Sequence, residues 1–132
     1  MFYLHINNEN VMTTFNPDRA IFLQMGDRIC DEILAGKYKE EERIPSMREY
    51  AVTLSVNTNT AFKAYEALSL NGIIYNKRGM GYFVCQGAKE KILNERRRKF
   101  MDEFLPDVIR QMKLIGLTLD DLEKKWHEQE QS

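Results

Sequence analysis

The chain has 132 residues, of which 30% are charged and 43% apolar, with a net charge of −1; this balance suits one globular core that needs no disulfide or metal staple. No apolar run approaches the ~20 residues that cross a bilayer, and residues 1–10 lack the basic start and apolar stretch of a signal peptide. The expectation is a cytoplasmic protein with no membrane partner, in which the widely separated Cys30 and Cys85 are reduced thiols serving as small packing groups.

Taken in chain order, the alternation Phe2, Leu4, Ile6 suits a short strand, with a disordered start as the alternative. A first helix is expected from about Asn16-Pro17, with Asn at the cap and Pro in the first turn. Ile21, Met25, Ile29 and Ile33, flanked by Phe22 and Leu34, form its apolar stripe, and Gly36 ends it. Residues 37–43 read as a polar loop. Ser46-Met47-Arg48-Glu49 is a capping box that opens a short second helix, with Met47, Tyr50, Ala51 and Leu54 facing inward. After the tight connection Ser55-Val56-Asn57, Asn57 caps a third helix that buries Ala61, Ala64, Tyr65 and Leu68 and ends at Asn71-Gly72. Residues 73–75 and 82–84 read as strands joined through residues 76–81, whose glycines fit a hairpin turn. A fourth helix is expected over residues 88–114. Phe100, Phe104, Val108 and Met112 recur along it every four residues, and Pro106 should kink or split it. Gly116 stops this run. Thr118 then caps a last helix with Asp120 and Asp121 in its first turn and Leu119, Leu122 and Trp126 on a narrow apolar edge.

Three helices, a tight turn between the second and third, and a hairpin add up to a winged helix-turn-helix. The fold class is therefore mainly α with a small β-hairpin, with a DNA-binding domain over residues 12–86 and a two-helix tail over residues 87–132. Such folds lay the second helix of the pair in the major groove, which makes the helix opening at Asn57 the reader. Asn57, Thr58, Asn59 and Thr60 are short hydrogen-bonding groups in its first turn, and Lys63 follows one turn on. Asn pairs with adenine, and Thr meets a thymine methyl or a phosphate; the helix N-terminus also favours phosphate. Asn57 is in addition the cap. Arg48 lies in the first turn of the second helix, and Lys77-Arg78-Gly79 at the hairpin tip can enter a minor groove whose potential attracts Arg.

The charge pattern points the same way. Residues 43–99 carry eleven Lys or Arg against four Asp or Glu, whereas each flanking stretch carries four basic and eight acidic residues. A basic middle between acidic ends attracts a polyanion in one orientation; on charge alone, an uneven solvated surface is the alternative.

Arg43-Ile44-Pro45-Ser46-Met47-Arg48, then Ala51, Leu54, Val56-Asn57-Thr58-Asn59-Thr60, Ala64-Tyr65, Leu68, Gly72 and Gly79-Met80-Gly81-Tyr82-Phe83-Val84 together resemble the signature of GntR-type transcription regulators over about residues 20–85. The Val-Asn-x-Asn-Thr form and the short tail are most similar to the YtrA-like branch. The resemblance implies a sequence-specific regulator, a repressor in that branch, which contacts DNA through Arg48, through Asn57, Thr58, Asn59, Thr60 and Lys63, and through Gly79 with its basic neighbours Lys77 and Arg78. Ser46 of the same motif joins that set. Several members carry Arg in the first turn of the reader helix; Thr58 and Asn59 stand there instead, so a different base preference is expected. Tyr50 occupies a position usually held by an aliphatic residue and reads as core variation.

Two helices cannot by themselves enclose a ligand pocket of the usual ~300–1,000 Å³. The sequence therefore identifies no effector and no cofactor, and the tail's apolar face needs a partner. Phe100, Phe104, Val108, Met112, Leu122 and Trp126 are the expected homodimer interface, which would set two reader helices on a palindromic site. The head is expected to close its own core, so that a chain ending after Gly87 folds alone. His5 and His127 lack metal-ligand spacing, and no nucleophile, zinc or phosphate-loop motif occurs, so the chain is not expected to be an enzyme. A winged helix serving as a protein–protein module is the alternative, separable by salt-dependent binding to duplex DNA.

Overall fold

The computed structural model describes residues 19–131. The alternation at Phe2, Leu4 and Ile6 and the expected helix start at Asn16-Pro17 lie outside them. The elements run α1 (Ile21–Leu34), α2 (Met47–Leu54), α3 (Thr58–Leu70), β1 (Ile74–Lys77), β2 (Gly81–Val84), α4 (Ala88–Lys99), a π-helical segment Phe100–Phe104, α5 (Leu105–Leu114) and α6 (Leu119–Glu130). Two compact units result, divided between Ile92 and Leu93 inside α4.

In the first unit, α1 opens later than its sequence suggests. Ala20 has extended backbone angles (φ −56°, ψ 134°), so helical geometry begins at Ile21. Met25, Ile29 and Ile33 carry the α1 stripe into the core, whereas Ile21, expected at its head, is exposed where the helix opens. Ser46 caps α2 as a full capping box: its Oγ accepts from the Glu49 amide at 3.1 Å, and the Glu49 carboxylate accepts from the Ser46 amide at 2.9 Å. Ser55 then takes a left-handed conformation (φ 56°). That single residue reverses the chain between α2 and α3.

Tyr65 of α3 is the hub of the core. Its side chain is fully buried, its hydroxyl donates to the Pro45 carbonyl at 2.6 Å, and its ring meets Tyr82 edge-on at 5.1 Å. One residue thus ties α3 to the entrance of α2 and to β2. Edge-to-face pairs add ~0.5–1.5 kcal/mol beyond their buried area. Tyr50 is core, as expected, and its hydroxyl donates to Glu32 of α1 at 3.2 Å. Burial, and then the Glu32 carboxylate, push its phenol above the ordinary range. An aliphatic residue could fill this position but could not make that bond.

The hairpin departs from expectation in two ways, in the length of its strands and in a further segment that joins them, while its glycines serve the turn as expected. Its strands are longer and paired in register from Ile74↔Val84 to Lys77↔Gly81, leaving only Arg78, Gly79 and Met80 as the loop. Gly79 and Gly81 both have positive φ (77° and 105°), which glycine adopts at little cost. A third segment also joins the sheet: the Ile44 amide donates to Tyr82 at 2.9 Å, the Val84 amide to Glu42 at 2.9 Å, and Arg43 bridges Phe83. The stretch read as a loop therefore ends as a strand-like edge of the wing.

The head does not close at the hairpin. Ala88 and Ile92, one turn apart at the start of α4, are buried in the same core as α1 to α3. The expectation that a chain ending after Gly87 retains a complete core is corrected by these two residues.

In the second unit, the helical run passes through Pro106 without a break. The Leu105 amide bonds to the Phe100 carbonyl five residues back, and Pro106 sits in the first turn of α5. A proline ring clashes with the carbonyl four residues before it in a regular α-helix, and a wider π turn relieves that clash. Thr118 caps α6 as a second capping box, its Oγ1 accepting from the Asp121 amide at 3.3 Å and Asp121 accepting from the Thr118 amide at 2.8 Å.

Candidate nucleic-acid interface

The residues named from the sequence fall on three elements of the first unit. Arg48 is exposed on the first turn of α2, with half-buried Ser46 before it. Thr58, Asn59 and Lys63 are exposed on α3, and Thr60 is half-buried. Lys77, Arg78 and Gly79 are exposed at the hairpin tip. α3 packs against α1, α2 and β1, so its first turns are held by a rigid base while their polar face stays in solvent.

Local chemistry sorts these residues. The Asn57 side chain accepts from the Asn59 amide at 2.7 Å, and its backbone carbonyl receives Thr60 and Ala61 at 3.0 and 3.1 Å. Asn57 is thus occupied as the cap, as expected, and the amides of Asn59 and Thr60 are bonded to it. Asn59, by contrast, projects its own side chain from the exposed face. The Ser46 hydroxyl is committed to the Glu49 amide. On the wing, the Lys77 ammonium lies 5.1 Å from the centre of the Phe83 ring, which itself stacks on Tyr75 at 5.9 Å. This cation–π contact holds Lys77 along the strand and leaves Arg78 as the cation at the loop.

Arg43 is a further basic residue of this surface that the sequence reading placed in a loop. Its guanidinium covers Gly81, where a Cβ would come within 3.0 Å of Nε. Gly81 is therefore constrained by conformation and by space together. The membership of Arg43 in the GntR-type signature was the available signal; its pairing with β2 was not visible in the sequence. The basic run at the end of α4 is partly neutralised. Arg98 bonds Glu95 at 2.7 and 3.1 Å and lies near Glu103 and Asp102, and the Glu95 bond is the main reason its guanidinium is held above its ordinary range.

In the tail, Phe100 and Phe104 are half exposed with ring centres 5.1 Å apart, Trp126 is 66% exposed, and Leu122 is exposed. Val108 and Met112 are half-buried. Leu114, Ile115, Leu117 and Leu119 extend the exposed apolar set. Among the described residues of α5 and α6, none is buried. No helix of the described residues is long and apolar enough to cross a membrane.

Comparison with known proteins settles the family. The profile of "Bacterial regulatory proteins, gntR family" matches residues 23–84. YhcF of Bacillus subtilis, an uncharacterised HTH-type transcriptional regulator, is 32% identical over 108 residues, 82% of this chain and 88% of YhcF. This chain belongs to the GntR family. YtrA of Bacillus subtilis, an HTH-type transcriptional repressor, is 31% identical over 102 residues, covering 77% of this chain and 78% of YtrA, which supports the YtrA-like branch. Among solved structures, a GntR-family transcriptional regulator from Bacteroides thetaiotaomicron matches with a TM-score of 0.73 and 47% identity over 86% of this chain and all of that one. The chain is thus a GntR transcription regulator with a DNA-binding head, and its family consists of regulators rather than enzymes. The winged-helix fold expected from the sequence is the fold of these relatives.

Proposed function

We propose that this GntR regulator is a cytoplasmic repressor that binds a palindromic operator as a homodimer. The observation that carries the reading is the exposed polar face of α3, Thr58, Asn59 and Lys63, rigidly backed by buried Tyr65. Side chains on such a face reach base edges, while Arg48 and Arg78 flank it as phosphate or minor-groove contacts. Ser46, Asn57 and Thr60 position this face by capping and packing, and Lys77 and Gly79 shape the wing. The exposed apolar residues of the tail support the second half of the reading. A soluble monomer rarely leaves a contiguous apolar patch beyond a few hundred Å² in water, and a second copy of the same tail is the commonest way to cover one. Two heads joined in this way would meet half-sites about one helical turn apart, about 10–10.5 base pairs between centres. The sign of regulation rests on similarity to YtrA, which is named a repressor.

The test is selection of bound sequences from random duplex DNA with the full chain. A two-fold symmetric motif bound with a steep salt dependence supports the reading. Recovery of no motif, together with salt-independent binding, would assign the winged helix to a protein partner instead.

A further inference from the structure

We propose that Phe62 is a specificity-determining residue of α3, whose ring reads the C5-methyl group of a thymine in each half-site. The inference rests on the reading above that α3 lies in the major groove. Phe62 is an aromatic residue 49% exposed, on a helix whose other large apolar residues in its first three turns, Tyr65 and Leu68, are buried with Ala61 and Ala64. At 100° per residue, it lies about 40° around the axis from Thr58 and about 60° from Asn59, one turn further along. Thr58, Asn59, Phe62, Lys63 and Glu66, all exposed, therefore share a face.

The chemistry of the ring narrows what it can recognise. Phenyl has no donor or acceptor, so it cannot read a polar base edge or bond a phosphate. The apolar feature that B-DNA offers a side chain in the major groove is the thymine methyl. The minor groove is about 6 Å wide and an α-helix about 10–12 Å across, so α3 cannot present Phe62 there. A protein partner would want neighbouring apolar surface. Phe62 instead stands between Asn59 and Lys63, inside the basic middle of the chain, where residues 43–99 carry eleven cations against four anions. A single apolar group set among hydrogen-bonding and cationic ones matches the mixture a DNA base edge requires, and charge complementarity selects DNA as the occupant.

Deoxyuridine differs from thymidine only in lacking the C5-methyl group, which makes the proposal directly testable. The operator obtained by selection is rebuilt with one thymine at a time replaced by deoxyuridine in both half-sites, and each duplex is titrated with the full chain. One position should weaken wild-type binding by about fourfold per half-site, the worth of one buried methyl. The same replacement should leave F62A unaffected, while replacements elsewhere act equally on both proteins. Phe62→Gln, which keeps length but not apolarity, serves as the second variant if F62A proves unstable. The proposal is overturned if wild type binds every deoxyuridine duplex as tightly as the parent, if F62A or F62Q keeps the wild-type sensitivity, or if the selected half-site contains no thymine. Titration of Asn59→Ala on the parent operator separates the two readings. If Asn59→Ala weakens binding while no deoxyuridine position does, Phe62 alone is misassigned; if neither matters, α3 is not the reader.

Discussion

Replacing Phe104 with Ala should dissociate the dimer without unfolding the head. The ring is 49% exposed and packs against Phe100 at 5.1 Å. A Phe side chain buries ~150–250 Å² in full, so about 100 Å² remains to be covered by a second subunit. At ~25 cal/mol per Å² that is about 2.5 kcal/mol per ring, of which alanine keeps a small part. Two copies per dimer bring the loss to about 4 kcal/mol, or roughly three decades in dimer dissociation constant. Sedimentation velocity over a concentration series reads this directly. Wild type should be a dimer at micromolar concentration, and Phe104→Ala a monomer with an unchanged far-ultraviolet spectrum. A monomeric wild type, or a variant that dimerises as tightly as wild type, refutes the assignment of the tail.

Replacing Lys77 and Arg78 together with Ala should weaken binding to all duplexes alike and reduce the salt slope by about one unit for each phosphate no longer neutralised; an unchanged slope in salt titrations would leave the wing in solvent. A chain ending after Gly87 lacks Ala88 and Ile92, which are buried in the core, so urea denaturation should find it about 2–4 kcal/mol less stable than one ending after Lys99. Equal midpoints would remove α4 from the head. The Glu49 carboxylate is held below its ordinary value of 4.5 chiefly by the Ser46 amide and then by the Ser46 hydroxyl. A depressed folded-state pKa gives stability that is present above the unfolded value and lost as pH falls through the lower folded one. Acid melts of Glu49→Gln should therefore show a shallower loss of stability below about pH 4.5 than wild type, and superimposable acid limbs would remove the capping box from the account.

What the sequence made legible is what depends on near neighbours. The capping box at Ser46, the caps at Asn57 and Thr118 and the buried stripes of α1, α2 and α3 follow from spacings of two to four residues, and the structure contains them apart from Ile21, which is exposed at the start of its stripe. Pairings between distant segments were hidden. Nothing within residues 37–44 announces that their end pairs with β2, because the signal lies in Tyr82 and Val84, some forty residues away. Ile92 was masked by its setting: apart from Leu93 its neighbours are Lys, Glu, Asn and Arg residues, and Ala88 and Ile92 one turn apart are too little to mark a buried face. Pro106 promised a kink or a split, but the choice of a π turn depends on backbone geometry that no residue pattern encodes. At the DNA face the difficulty is chemical. The sequence assigned Ser46 and Thr60 to the interface by position, and Asn57 to the interface and the cap together; the bonds at Ser46 and Asn57 occupy the side-chain oxygens of both at helix ends. Phe62 drew no assignment from the sequence, and only its exposure sets it apart from the apolar residues beside it.

The central claim is that the exposed first turns of α3 read bases, and the most direct measurement is the selection from random duplexes repeated with Asn59→Ala. Truncating a side chain that only packs or caps changes stability and lowers affinity for every sequence equally, whereas truncating a base-reading side chain changes the motif itself. The account predicts that Asn59→Ala recovers the same symmetric site with preference erased at one or two positions in each half, each worth about 1–3 kcal/mol of discrimination in wild type. An unchanged motif at every position would contradict it.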